Sequence, residues 1–247
     1  MTLLTGGAAV IGNADFSLSE GSRKYRIPIS RAMGSRDIMQ TVSIYSHGLA
    51  PARRNPTAEE VLYVVRGQGS CFIDGHIYEL DRGTAVYVPP GSVSQIRGSV
   101  DELEIVSVCC PEDLESQVVT EDLSHDLGDT KPFRTVLEER QKSIPTGDRT
   151  FKLLVGRELG AERVTQFVGV IPPGKAPMHH HTYEEAIYIV EGSGTLWTED
   201  GGAEFGAGDS VYLPRGVSHC LENTGTSNIK LLGVFHPSGS PANRYDD

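Results

Sequence analysis

The stretch PPGKAPMHHHTYEEAIYIVEGSG, residues 172–194, decides the architecture, because its second half is written twice in the chain. TYEEAIYIVEGSG (182–194) matches TAEEVLYVVRGQG (57–69) far upstream. Outward from this pair the correspondence continues at an offset of about 126 residues. RKYRIPISRAMGSRDI (23–38) aligns with RTFKLLVGRELGAERV (149–164), and QTVSIYSHGLAP (40–51) with QFVGVIPPGKAP (166–177). Downstream, RGTAVYVPPG (82–91) meets AGDSVYLPRG (207–216), and LEIVSVCCP (103–111) meets IKLLGVFHP (229–237). Self-similarity over so much of the chain is an internal duplication. It predicts two domains, residues 1–120 and residues 121–247.

Each copy reads as all-β. Runs rich in Val, Ile and Tyr alternate with turn signals at short spacing. The pairs Asp74-Gly75 and Asp200-Gly201 suit hairpin turns that need positive φ. Pro89 and Pro214 stand just after strand-like runs, where a proline can end a strand. The more acidic segment 112–148 between the copies is expected to hold a short helix and a linker.

Composition excludes several classes. The 247 residues are 38% hydrophobic, with 28 Gly and 14 Pro, an ordinary globular balance with many turns. Acidic residues outnumber basic ones 33 to 22, for a net charge of -11 and no basic stripe. Such a chain repels phosphate backbones and anionic membranes, so neither nucleic acid nor a membrane is an expected partner. No Lys or Arg precedes Arg23, as a signal peptide would require, and no apolar run approaches the roughly 20 residues of a membrane span. The expectation is a cytoplasmic protein, monomeric or homo-oligomeric. Its four cysteines, Cys71, Cys109, Cys110 and Cys220, are too few and too irregular for a disulfide framework.

The second copy alone carries chemistry. In an extended segment, side chains at i and i+2 share a face, so His179 and His181 can aim inward together while His180 points away. Glu185 follows four residues after His181 and can return to the same cavity; a slip of one residue would turn the alternative, Glu184, to the opposite face. His219 arrives from a distant strand. Three imidazoles and a carboxylate suit a divalent transition ion such as iron, manganese, nickel, cobalt, copper or zinc. Four protein ligands leave positions open on a six-coordinate ion, a catalytic pattern more than a structural one.

These residues sit in two spaced motifs. Gly174, His179, His181, Glu185 and Gly192 match G-x5-H-x-H-x3,4-E-x6-G, with four residues instead of five after the first glycine. Gly208, Pro214, Gly216, His219 and Asn223 match G-x5-P-x-G-x2-H-x3-N. By both motifs the second copy resembles the cupin superfamily, and with the duplication the chain resembles a bicupin. That resemblance implies two tandem antiparallel jelly-roll barrels, with His179, His181, Glu185 and His219 as metal ligands in the second.

The first copy serves as an internal control. It keeps Gly67, Gly69, Gly83, Pro89 and Gly91, but places Arg53, Arg54, Asn55 and Pro56 where the second copy has histidines, and Ser94 where it has His219. An arginine stays charged and cannot ligate, so one metal ion per chain is expected. Glu60, opposite Glu185, is the surviving counterpart. Ile187 and Ile189 share strand parity with Glu185 and are expected to wall the pocket; Gln166, Trp197 and Leu221 are candidate neighbours. The expected function is that of a metalloenzyme acting on a small oxygen-bearing metabolite, as a dioxygenase or a Lewis-acid hydrolase, isomerase or decarboxylase. The alternative is a non-catalytic metal-dependent or sugar-binding module.

Overall fold

A computed structural model of the chain describes residues 1–112, 116–120, 123 and 131–242. Every strand pair within its sheets is antiparallel. Two sheets enclose each of two cavities, so the all-β, double jelly-roll expectation holds. In the N-terminal barrel a large sheet runs Thr135–Leu137, Thr84–Val88, Glu59–Arg66, Leu103–Cys110, Met39–Tyr45, Arg23–Ile29, Leu18–Glu20. It faces a smaller sheet ordered His76–Leu80, Gly69–Ile73, Val93–Gly98, Ala52–Arg54, Gln117–Val119. The C-terminal barrel repeats this order with the large sheet centred on Glu184–Glu191 and Ile229–His236, opposite Gly174–Lys175, Cys220–Asn223, Ser193–Thr198 and Gly201–Gly206.

The sheets do not divide at residue 120. Thr2–Leu3 and Ala9–Ile11 belong to the large sheet of the C-terminal barrel, where Ala9 pairs with Tyr212. Thr135–Leu137 joins the N-terminal barrel, with Thr84 opposite Leu137. Each barrel thus borrows a strand from beyond its own copy, which covers an edge of its large sheet. The helix expected between the copies falls partly on 113–115, 121–122 and 124–130, outside the described residues; the described part holds one 3-10 turn, Glu138–Arg140.

Strand parity divides the core. In Glu184–Glu191, Ala186 and Tyr188 face the other barrel, and Ile187 and Ile189 face the interior of their own. Val42, Val61, Tyr63 and Val106 of the N-terminal barrel share one buried cluster with Val168, Tyr188, Tyr212 and Val234 of the C-terminal barrel. The two large sheets are therefore covered on both faces, which explains why runs such as VLYVV and AIYIV do not alternate with polar residues. Reciprocal polar grips frame this interface. Glu184 accepts hydrogen bonds from the backbone N–H groups of Asp37 (2.7 Å), Ile38 (2.8 Å) and Arg36 (3.1 Å) and from the Tyr212 hydroxyl (3.0 Å). Its counterpart Glu59 accepts from the N–H groups of Glu162 and Arg163, both at 2.9 Å.

One turn expectation needs correction. Asp74 and Gly75 both have positive φ (48° and 81°), as the hairpin between Ile73 and His76 requires. In the second copy Thr198 pairs with Gly201, so the two-residue turn is Glu199-Asp200 and Gly201 opens the next strand. Some motif glycines answer to close packing, and others, such as Gly91 and Gly216, to positive φ alone. Gly67 has φ 82°, and a Cβ there would lie 2.2 Å from the Glu102 carbonyl oxygen.

Gln40 and Gln166 are counterparts in this interface, and both are fully buried. Gln40 accepts a 2.6 Å bond from the Ser210 hydroxyl. Around Gln166, neither amide atom has a partner among the described residues, and the residue matching Ser210 is Ala85. A buried amide without partners costs stability. Gln166→Met is therefore expected to raise stability by about 1 kcal/mol. Gln40→Met removes an amide nitrogen that also lacks a partner among the described residues but strands the Ser210 hydroxyl, so the two effects offset and little change is expected. Urea unfolding of the two variants checks the difference.

Candidate metal centre

The histidines gather because the backbone pairs them. His179 and His219 form an isolated antiparallel bridge, N–H to carbonyl in both directions, at 3.0 and 2.9 Å. His181 is fixed to the same loop by its carbonyl, which accepts the Gly216 N–H at 2.8 Å. A ligand atom from each of His179, His181 and His219 lies within 4.8 Å of the others, and all three residues are buried. The three histidines are thereby brought together from a loop and the residue that precedes a separate strand.

The rings are oriented by their surroundings. Nδ1 of His179 lies 3.1 Å from the Pro177 carbonyl and Nδ1 of His219 lies 2.8 Å from that of Val217. A carbonyl only accepts, so Nδ1 carries the proton and Nε2 is left with the lone pair. His181 is stacked on Tyr183 at 4.4 Å between centroids, and Tyr183 on Phe235 at 4.1 Å. Burial holds the His219 imidazole down to about 4, so its ring is neutral at pH 7. Imidazoles sharing a small space fit a borderline divalent cation. The exchanged N-terminal segment backs this loop: Gly6, at φ 71°, packs against Val217, and Thr5 donates to Asp200 at 2.6 Å.

Glu185 lines the same cavity but does not belong to the close histidine group. Burial pushes its carboxyl up to about 8; a nearby cation acts in the opposite direction. Gly233 makes room for it, since a Cβ there would sit 2.4 Å from the Phe167 ring and 3.0 Å from a Glu185 oxygen. Gly233→Ala is expected to cost about 1–3 kcal/mol through overpacking, measured by thermal or urea unfolding.

The cavity above the triad has a volume of about 90 Å³. Of the candidate pocket residues, Ile187 and Leu221 line it. Three other expectations are corrected. Gln166 faces the opposite barrel, because Phe167, Gly169 and Ile171 take the inward positions of its strand. Ile189 lies in the barrel core away from the cavity. Trp197 points outward, because Leu196 holds the inward position; its indole donates to Glu222 at 2.6 Å and lies under Lys175. Sequence reasoning missed Arg149. This residue lines the cavity, is tethered through Nη2 to the Leu221 carbonyl at 2.7 Å, and is close enough to disfavour the charged form of His219. Its retention as Arg23 in the first copy was the available signal.

Among known proteins, the cupin domain family matches residues 167–235. An uncharacterised protein of Methanocaldococcus jannaschii is 36% identical over 70 residues, which is 28% of this chain and 56% of that protein. An oxalate-binding protein of Thermotoga maritima is 34% identical over 67 residues, 26% of this chain and 55% of that one. The chain thus spans little more than half the length of these curated relatives. Among solved structures, a Bacillus subtilis oxalate decarboxylase mutant superposes with a TM-score of 0.76 at 15% identity, over 95% of this chain and 78% of that one. The Lactobacillus farciminis oxalate decarboxylase formate complex gives 0.78 at 15% identity, over 97% and 89%. Residues 167–235 thus match the cupin domain family, and the chain as a whole has the jelly-roll fold of these solved structures.

Proposed function

We propose that the chain is a bicupin metalloenzyme whose C-terminal barrel holds one divalent transition-metal ion and acts on a small carboxylate. The supporting observation is the convergence of three oriented imidazoles within 4.8 Å beneath a cavity of about 90 Å³. His179, His181 and His219 would hold the ion, with Glu185 as the fourth ligand. When bound, such an ion supplies Lewis-acid polarisation or, if redox-active, oxygen chemistry.

The chain's own residues select the substrate. Arg149 offers a planar fork that matches a carboxylate. Phe151, Phe167, Ile187 and Leu231 line the cavity with apolar surface, which excludes water and strengthens that pairing. The volume admits only a few non-hydrogen atoms. Names of relatives and structural neighbours that refer to oxalate agree with a small acid.

Metal-loaded protein is expected to consume at least one acid from a panel of oxalate, malonate and pyruvate. Arg149→Gln should raise KM about 10- to 100-fold, the worth of a charged hydrogen-bonded pair, with metal content unchanged. An unchanged KM would remove Arg149 from the proposal. A second reading, a metal-dependent binding module, is favoured by relatives named as an oxalate-binding and an auxin-binding protein. Saturable binding with no turnover on any metal would select it.

A further inference from the structure

The cavity of the N-terminal barrel occupies the place that the histidine site holds in the other barrel, and it is larger, about 170 Å³ against about 90 Å³. The duplication puts its wall in register with the metal cavity. Thr41 stands for Phe167, Cys109 for Phe235, Ser107 for Gly233 and Ser94 for His219. At these four positions two aromatic rings and an imidazole give way to hydroxyls and a thiol, while Tyr25, Tyr45, Leu62 and Ile96 keep part of the wall apolar, and among the described residues no imidazole set lines it. Two charged positions persist through this change: Arg23 matches Arg149 and Glu60 matches Glu185.

Arg23 is held in place without being used up. Its Nε donates to the Ser43 hydroxyl at 3.0 Å, and its guanidinium lies 4.2 Å over the Tyr25 ring. Glu20 approaches no nearer than 3.9 Å, and among the described residues neither terminal nitrogen of Arg23 makes a hydrogen bond. Arg53, the other cation lining the cavity, is engaged by Glu20 at 2.7 Å and by the Ser116 hydroxyl at 2.8 and 3.1 Å. The Arg23 fork therefore remains for a planar anion. Glu60 repels a bare anion but accepts from a donor, so a ligand needs both kinds of group. The volume is roughly half a dozen waters' worth, the scale of a small metabolite.

We propose that the N-terminal barrel is a second, metal-free site for a small carboxylate bearing a hydroxyl or amine donor, with the carboxylate on Arg23 and the donor on Glu60. It is distinct from the metal centre and survives removal of that centre.

Isothermal titration of the full chain with glycolate and L-serine, with acetate as the probe lacking a donor, tests this. The titrations are repeated in His179→Ala/His219→Ala, which takes the metal centre out of the comparison. Glycolate or serine is expected to bind both proteins with the same affinity. In that double variant, Arg23→Gln should weaken binding at least tenfold, and Glu60→Ala, which removes the acceptor, should erase the preference over acetate. If Arg23→Gln does not fold, as judged by circular dichroism, Ser94→Tyr takes its place by filling the cavity; a tenfold loss supports the site. Absence of binding by both probes, or binding unaltered by the Arg23 or Ser94 substitution, overturns the proposal. Binding present in the wild type but lost with the histidines also overturns it, because the ligand then sits in the C-terminal barrel.

Discussion

Replacing His179 and His219 together with alanine is expected to abolish divalent-metal binding while leaving the β-sheet circular dichroism in place. These two residues are tied to each other by backbone bonds that do not involve their side chains. The scaffold of the site therefore survives the substitution, and only the donors are lost. Loss of a group that merely orients a ligand lowers metal affinity about 10- to 100-fold, and loss of two donors costs more. The wild type should carry close to one ion per chain by elemental analysis, and the double variant none. A second readout is independent of stoichiometry. Metal at 100 times its dissociation constant stabilises the folded state by about 2.7 kcal/mol, so a thermal shift on metal addition is expected in the wild type and none in the variant. Metal retained by the double variant would refute the ligand set. Two ions per chain would refute the metal-free reading of the N-terminal barrel, where Ser94 replaces the histidine and Arg53 and Arg54 line the matching loop.

The parts of this site that could be read in advance are those governed by strand parity. The spacing of His179 and His181, and the choice of Glu185 over Glu184, follow from a period of two, and the structure places Glu184 at the interface and Glu185 in the cavity. Parity fails as a guide where both faces of a strand are buried. Gln166 and Phe167 are then equally plausible as inward residues, and hydrophobicity does not tell the cavity from the other barrel. Trp197 misleads for a related reason: a large ring suggests a pocket wall, yet its indole N–H needs a partner and finds Glu222 on the outer face. The exchange of Ala9–Ile11 was illegible because a three-residue apolar strand carries no mark of the sheet edge it will cover. Arg149 could have been found, since an arginine kept in both copies amid altered neighbours is a stronger signal than a basic residue at a strand start.

The adjacent glutamates allow the sharpest separation of fold from function. Glu184→Ala is expected to destabilise the protein by about 3 kcal/mol or more, because each buried donor left without an acceptor costs roughly 1–3 kcal/mol. Three backbone N–H groups of the opposite barrel and the Tyr212 hydroxyl donate to that one carboxylate, and the other acceptors within reach, Ser35 Oγ for Ile38 (3.3 Å) and the Gly34 carbonyl for Tyr212 (3.4 Å), are more distant. Glu59→Ala strands the N–H groups of Glu162 and Arg163, while the Tyr87 hydroxyl that it also meets keeps the Gly160 carbonyl at 3.0 Å, so its loss should be smaller. Glu184→Gln keeps one acceptor oxygen and should fall between wild type and Glu184→Ala. Neither substitution at 184 touches the cavity, so metal stoichiometry measured below the unfolding transition should not change. Glu185→Gln has the opposite profile. Nearly isosteric and within the cavity, it replaces a carboxyl already uncharged by burial in the metal-free chain, so apo stability should shift little while metal affinity falls. Urea unfolding of the metal-free proteins, paired with metal titration of the folded ones, distinguishes the two positions. If Glu184→Ala lost metal at unchanged stability, the parity that places Glu185 in the cavity and Glu184 at the interface would be wrong by one residue.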